Sequence, residues 1–255
     1  MKRLIGALTI VLGFGVTGLA HAAITGSSHD FTDGLKGKSG NTGAGTAFSE
    51  AWNDRKEICR VCHVPHDHSQ AEKRYEKGLL WNHALSSANY TMYDVGFSKT
   101  LTGSQSSQPD GTAKLCLGCH DGTVAIDTFD RYAGGNVFFD SVSNPDGTTS
   151  GSYSPGYKVP GYQKGNVDLR GTHPISIAFP AAEIGDGKNF TNPAVQTWTT
   201  GGTVASTLDD GKVQCSTCHD VHSQEVIAGT HLLRAAQTVA QGGPASGLCL
   251  TCHVK

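Results

Sequence analysis

Apolar positions along this chain come in short, separated groups, and few of them keep a period. Residues 4–16 form one apolar run behind Lys2 and Arg3, and Ala20-His21-Ala22 follows it. A basic start, a run too short to span a bilayer and an A-x-A step predict a secretory leader over residues 1–22. The mature chain would then begin at Ala23. Residues 26–47 are rich in Gly, Ser and Thr and read as an extended N-terminal arm that something must tie down. Helical spacing is best between Thr46 and His63, where Ser49 can cap and Ala51, Trp52 and Ile58 share a face. Residues 132–167, dominated by Gly, Ser, Pro, Asn and Tyr, predict a long loop, and residues 188–213 predict loop or short strand. No later stretch is apolar enough to cross a membrane, so no transmembrane segment is expected once the leader is gone.

Composition sharpens this picture. Only 37% of the 255 residues are apolar and 33 are glycine, which is thin for a core made of protein alone. Removing the leader takes Lys+Arg from 20 to 18 against 22 carboxylates, a net charge of −4. A mildly acidic chain with no basic patch carries no nucleic-acid footprint.

The eight cysteines supply what the apolar pattern lacks. They lie in four copies of C-x-x-C-H: Cys59, Cys62, His63; Cys116, Cys119, His120; Cys215, Cys218, His219; and Cys249, Cys252, His253. None is left over. A redox dithiol needs no following histidine. A zinc site pairs two C-x-x-C elements about 15–20 residues apart, and every interval here is wider. C-x-x-C-H repeated four times is the attachment signature of c-type haem: the cysteines bond the porphyrin and the histidine is the proximal iron ligand. Four covalently bound haem c groups are therefore expected. Their apolar faces would serve as the core, leaving a mostly irregular, haem-cored chain with short α-helices at the motifs. Eight haem propionates would make the holoprotein more acidic still.

Each iron has a second axial position, and its ligand sets reactivity. After Met1 only Met92 remains, so at most one centre could be His/Met. Histidine is abundant, which favours bis-histidine irons closed to substrate. The distal candidates are His29, His66, His173 and His222, with His83 the strongest substitute; His68 and His231 read as ordinary surface or neighbouring histidines.

The histidines also suggest a repeat. His29, C-x-x-C-H-x-x-H at residues 59–66, His83 and L-C-L-x-C-H at 115–120 are followed by His173, C-x-x-C-H-x-x-H at 215–222, His231 and L-C-L-x-C-H at 248–253. A duplicated dihaem unit is expected, with halves at residues 23–131 and 168–255 joined by the 132–167 loop.

Those motifs, with Thr25-Gly26-Ser27-Ser28-His29-Asp30-Phe31, Leu80-Trp81-Asn82-His83, Cys119-His120-Asp121-Gly122 and His173-Pro174, resemble the tetrahaem cytochromes with doubled C-x-x-C-H motifs. Within that group the chain is most similar to extracellular cytochrome filaments of the OmcE type. The resemblance implies all-bis-histidine haems, head-to-tail homopolymers, and one distal histidine shared between adjacent subunits, for which His29 on the arm is the candidate. It implies an electron carrier for extracellular electron transfer, located outside the cell or on its surface, that exchanges electrons with redox proteins or external acceptors. A soluble periplasmic tetrahaem shuttle is the alternative. A multihaem reductase is disfavoured, because an enzyme needs an open iron and no C-x-x-C-K variant is present.

Overall fold

The computed structural model describes residues 24, 25, 27, 29–32, 53, 56–64, 80–130, 159, 162–163, 166–185, 187–223, 227 and 229–255. The expected leader, most of the arm, residues 65–79 with His66 and His68, and most of the 132–167 stretch lie outside them. Among the described residues the backbone is mostly irregular, with short helices and little sheet. The helices are α1 (Gly111–His120), α2 (Val204–Thr207), α3 (Cys215–Cys218) and α4 (Gly247–Cys252). Three of the four carry C-x-x-C-H cysteines, so the regular structure falls where those pairs must be presented on one turn.

The strands are equally short. β1 (Asn89–Thr91), β2 (Tyr162–Gln163) and β3 (Asn166–Asp168) form a sheet in the order β1-β3-β2. β1 runs parallel to β3 with Tyr90 opposite Val167, and β2 runs antiparallel to β3. β4 (Ile177–Ala178) pairs antiparallel with β5 (Lys212–Val213). The end of the expected 132–167 loop is thus strand at residues 162–163 and 166–167. Segments this brief have no alternation to read; cross-strand pairing and the burial of Val167 hold them in place.

The described apolar core is split. Met92, Leu117, Val167 and Leu169 form one cluster beside the second motif, and Trp198, Val204 and Ala235 form another beside Leu248 and Cys252 of the fourth. Met92 lies within the first cluster, packed as a core residue.

The helix expected over 46–63 does not run into the motif. Lys56 has φ 52°, a left-handed conformation that an α-helix does not contain. The first motif itself is a single turn, closed by Cys62 N–H to Cys59 O (3.2 Å) and His63 N–H to Cys59 O (2.8 Å).

The first and third motifs share a backbone arrangement. Val64 N–H donates to Leu80 O and Asn82 N–H to Cys62 O, both 2.9 Å, around a His63–Trp81 bridge. Asp220 N–H donates to Leu232 O and Arg234 N–H to Cys218 O, both 2.8 Å, around a His219–Leu233 bridge. Leu80 and Leu232 both have positive φ, 49° and 65°. The side chains of Asn82 and Arg234 then bond back to Arg60 O and Ser216 O, the same place in each motif. This register sets His83 against Ala235 and not against His231. The sequence match of His83 with His231 is therefore corrected: the longer intervening segment in the first half hid the true register.

Candidate haem-ligand site

Three imidazole pairs stand out. His29 faces His120 with ring centroids 6.0 Å apart, His222 faces His63 at 6.1 Å, and His173 faces His253 at 6.3 Å. Each pair joins the histidine of one C-x-x-C-H motif to a histidine expected to be distal. Imidazole nitrogen binds a transition metal at about 2.0–2.1 Å and lies roughly 1.2 Å from its ring centre, so two imidazoles trans on one iron have centroids roughly 6–6.5 Å apart. The gaps fit one iron, and they also lie in the range of roughly 4.5–7 Å of ordinary ring contacts.

The surroundings prepare these rings as ligands. His173 Nδ1 donates to Pro174 O at 2.9 Å, and His219 Nδ1 donates to His231 O at 2.8 Å. A carbonyl can only accept, so the proton sits on Nδ1 and Nε2 keeps its lone pair for metal. His29 Nδ1 is buried with no hydrogen-bond partner, a costly condition that metal coordination at that nitrogen would offset. Burial, then the charges of His120, His219 and His222, push the His29 pKa down to about 3. The ring is neutral at ordinary pH, as ligation requires. Trp81 packs edge-on to His63 at 5.9 Å, and Phe190 lies 4.7 Å from His253.

Local bonds fix His29. Ser27 Oγ accepts from His29 N–H (3.2 Å), Asp30 Oδ1 accepts from both Thr32 N–H (3.1 Å) and its hydroxyl (2.6 Å), and Asn53 Nδ2 donates to Phe31 O (3.0 Å). Ser27, Asp30 and Phe31 are buried. The sequence reading offers His29 to an adjacent subunit; within this chain it faces His120. His83 sits differently. It is fully buried, with Nδ1 2.8 Å from Ala84 O, Nε2 3.1 Å from Ala125 O and Cys119 Sγ 3.4 Å away. Both nitrogens face main-chain carbonyls, the pose of a histidine that braces the second motif. His219, the fourth proximal histidine, has no facing imidazole among the described residues, and His66 lies outside them.

The cysteine pairs are close neighbours in chain order. Charge on Cys62 reaches Cys116 and Cys119, Cys116 and Cys215 share a hydrogen bond, and Cys218 acts on Cys252. Burial above all pushes the Cys62 and Cys252 thiols up to about 12 and the Cys218 thiol up to about 11. Redox dithiols and zinc ligands need thiolate, so burial works against both at Cys62, Cys218 and Cys252, whereas the hydrogen bond with Cys215 lowers the Cys116 pKa.

A polar joint missed in the sequence fixes the second motif to the third. Asp110, just before α1, accepts from Gln214 Nε2 (2.9 Å), from Ser106 Oγ (2.7 Å) and from Lys212. Its N–H donates to Ser176 Oγ, and that hydroxyl donates to Gln214 Oε1, each at 3.0 Å. Thr112 N–H donates to Asp209 Oδ2 (2.8 Å), and the Thr112 and Ser216 hydroxyls meet at 2.6 Å. Gly111 has φ 52°, and a Cβ there would come within 2.5 Å of Asp209 Oδ2. The only sequence signal for this joint is that glycine directly after Asp110.

Among the described residues no helix is long and apolar enough to cross a membrane. Compared with known protein families and with curated proteins, the chain matches none.

Proposed function

We propose that this chain is a tetrahaem c-type cytochrome that carries electrons along a row of bis-histidine irons. The observation that carries the reading is the set of three proximal–distal imidazole pairs at 6.0–6.3 Å. Cys59 and Cys62, Cys116 and Cys119, Cys215 and Cys218, and Cys249 and Cys252 would each hold one haem c. His63 with His222, His120 with His29, and His253 with His173 would hold three irons. For the fourth, His219, the counterpart of His222 is His66, which likewise stands three residues beyond its own motif histidine. The first and third motifs then exchange ligands, while the second and fourth take theirs from His29 and His173, each N-terminal to its own pair of motifs. This arrangement supports the duplicated dihaem unit. Bound haem supplies one-electron exchange. The protein's share is to set spacing and exposure, and to close each iron to substrate, which argues against reductase chemistry.

The extracellular polymer rests on the resemblance to cytochrome filaments. In a polymer His29 would serve an adjacent subunit, as the resemblance implies, in place of the pairing within its own chain. The soluble shuttle stays the alternative, because a chain with His66 on the iron of His219 is complete by itself. Intact mass spectrometry tests the haem reading: four haem additions and no free thiol are expected, and unmodified cysteines would end it. Electron microscopy of the extracellular fraction separates filament from shuttle.

A further inference from the structure

The charges around the four motifs are unequal. Asp121, directly after His120, is completely buried. Tyr90 Oη donates to its Oδ2 at 2.6 Å, and the Thr123 N–H and hydroxyl donate to its Oδ1 at 2.8 and 2.7 Å. All three partners donate, which suits an anionic carboxylate, and none carries a positive charge. The corresponding residues of the first and fourth motifs are Val64 and Val254. In the third it is Asp220, which pairs with Arg234 at 2.9 Å. Arg60 stands inside the first motif, paired with Asp130 and, at 3.2 Å, with Glu57, and Lys255 lies close enough to His253 to act on its charge. Lys114, the cation on α1, is exposed to solvent. The second motif alone combines a buried carboxylate beside its proximal histidine with no buried cation to answer it among the described residues.

We propose that Asp121 makes the iron held by His120 and His29 the lowest-potential centre of the four. A fixed anion in a dry site stabilises the more positive ferric state over the ferrous one, and weak screening lets one charge act strongly. Haem potential responds to hydrogen bonding and burial around the axial ligand, and Asp121 supplies both. Electrons in the row would then meet their least favourable site at the second position, next to the Asp110 joint that binds it to the third. The inference rests on the tetrahaem reading and adds an order of potentials to it.

The test is a stepwise potentiometric titration of the holoprotein, after mass spectrometry has established four haems in the unmodified chain. In Asp121→Asn the lowest of the four steps should rise by about 59 mV or more, tenfold in the one-electron equilibrium. The other three should move less, and every iron should stay low-spin by electron paramagnetic resonance. An unmoved lowest step, or an equal rise in all four, overturns the assignment. If Asp121→Asn does not fold, Tyr90→Phe serves instead. It keeps the anion but removes one donor, which concentrates charge on the carboxylate, so the lowest step should fall. A step that stays or rises in that variant overturns the proposal. Absence of haem from the unmodified chain is read first and would take down the tetrahaem reading together with it.

Discussion

At the scale of single residues, the distal histidines carry the haem reading. His222 faces His63 at 6.1 Å and is exposed, so its removal should disturb packing little. In His222→Ala one haem in four should become high-spin and bind carbon monoxide when reduced, read from the reduced-plus-CO difference spectrum; four unreactive haems would assign His222 elsewhere. The candidate attachment residues were legible in the sequence because a C-x-x-C-H motif occupies five consecutive positions. Axial partners were legible only as a set of candidates. His29 and His120, or His63 and His222, meet through the fold, and no local spacing records it. Asp121 and Asp110 escaped for a related reason: a buried carboxylate looks like any other until its donors are placed.

Among the elements, the joint between α1 and α3 fixes the placement of the second motif against the third. Gly111→Ala puts a Cβ against Asp209 and strains a φ of 52°. It should lower stability by about 1 kcal/mol or more, read as a lower urea midpoint with haem content unchanged. The same joint sets a pH dependence. Burial raises the Asp110 pKa, but the hydrogen bonds from Lys212, Ser106 and Gln214 outweigh it and hold the carboxyl below its ordinary 3.8. The folded state therefore binds the proton less readily than the unfolded chain. The stabilisation is fully present above pH 3.8 and is lost as pH falls through the lowered folded value. Both side chains of the Lys212–Asp110 pair are about a third exposed, so Lys212→Met should cost only about 0.5–1 kcal/mol at neutral pH. It should also flatten the acid end of the stability profile, followed by urea unfolding across pH. The elements were unevenly legible in the sequence for a physical reason. Helix turns at motifs follow from cysteine spacing, whereas the helix expected over 46–63 cannot pass the left-handed backbone at Lys56, and strands of two or three residues exist only through their partners.

For the molecule as a whole, the two small apolar clusters and the polar joint among the described residues leave the four motif regions as the places where large apolar groups would complete the interior. That division explains how a chain with so many glycines and so few regular elements can hold one arrangement: the order lies in crossings between distant segments. Chain expressed without haem attachment should lose cooperative unfolding, checked by calorimetry, since the described protein clusters are small. In the proposed ligand set, the exchange between the first and third motifs, with the arm serving the second, would also tie the N-terminal residues to the rest of the molecule.

The most direct test of the central claim is a haem-resolving cryo-electron microscopy map of protein from cells that attach c-type haem. Four haems in motif order are expected, with iron density between His63 and His222, His120 and His29, and His253 and His173, and with His66 on the iron of His219. A map without haem at the C-x-x-C-H turns, or with His29, His173 or His222 away from these irons, would contradict the claim.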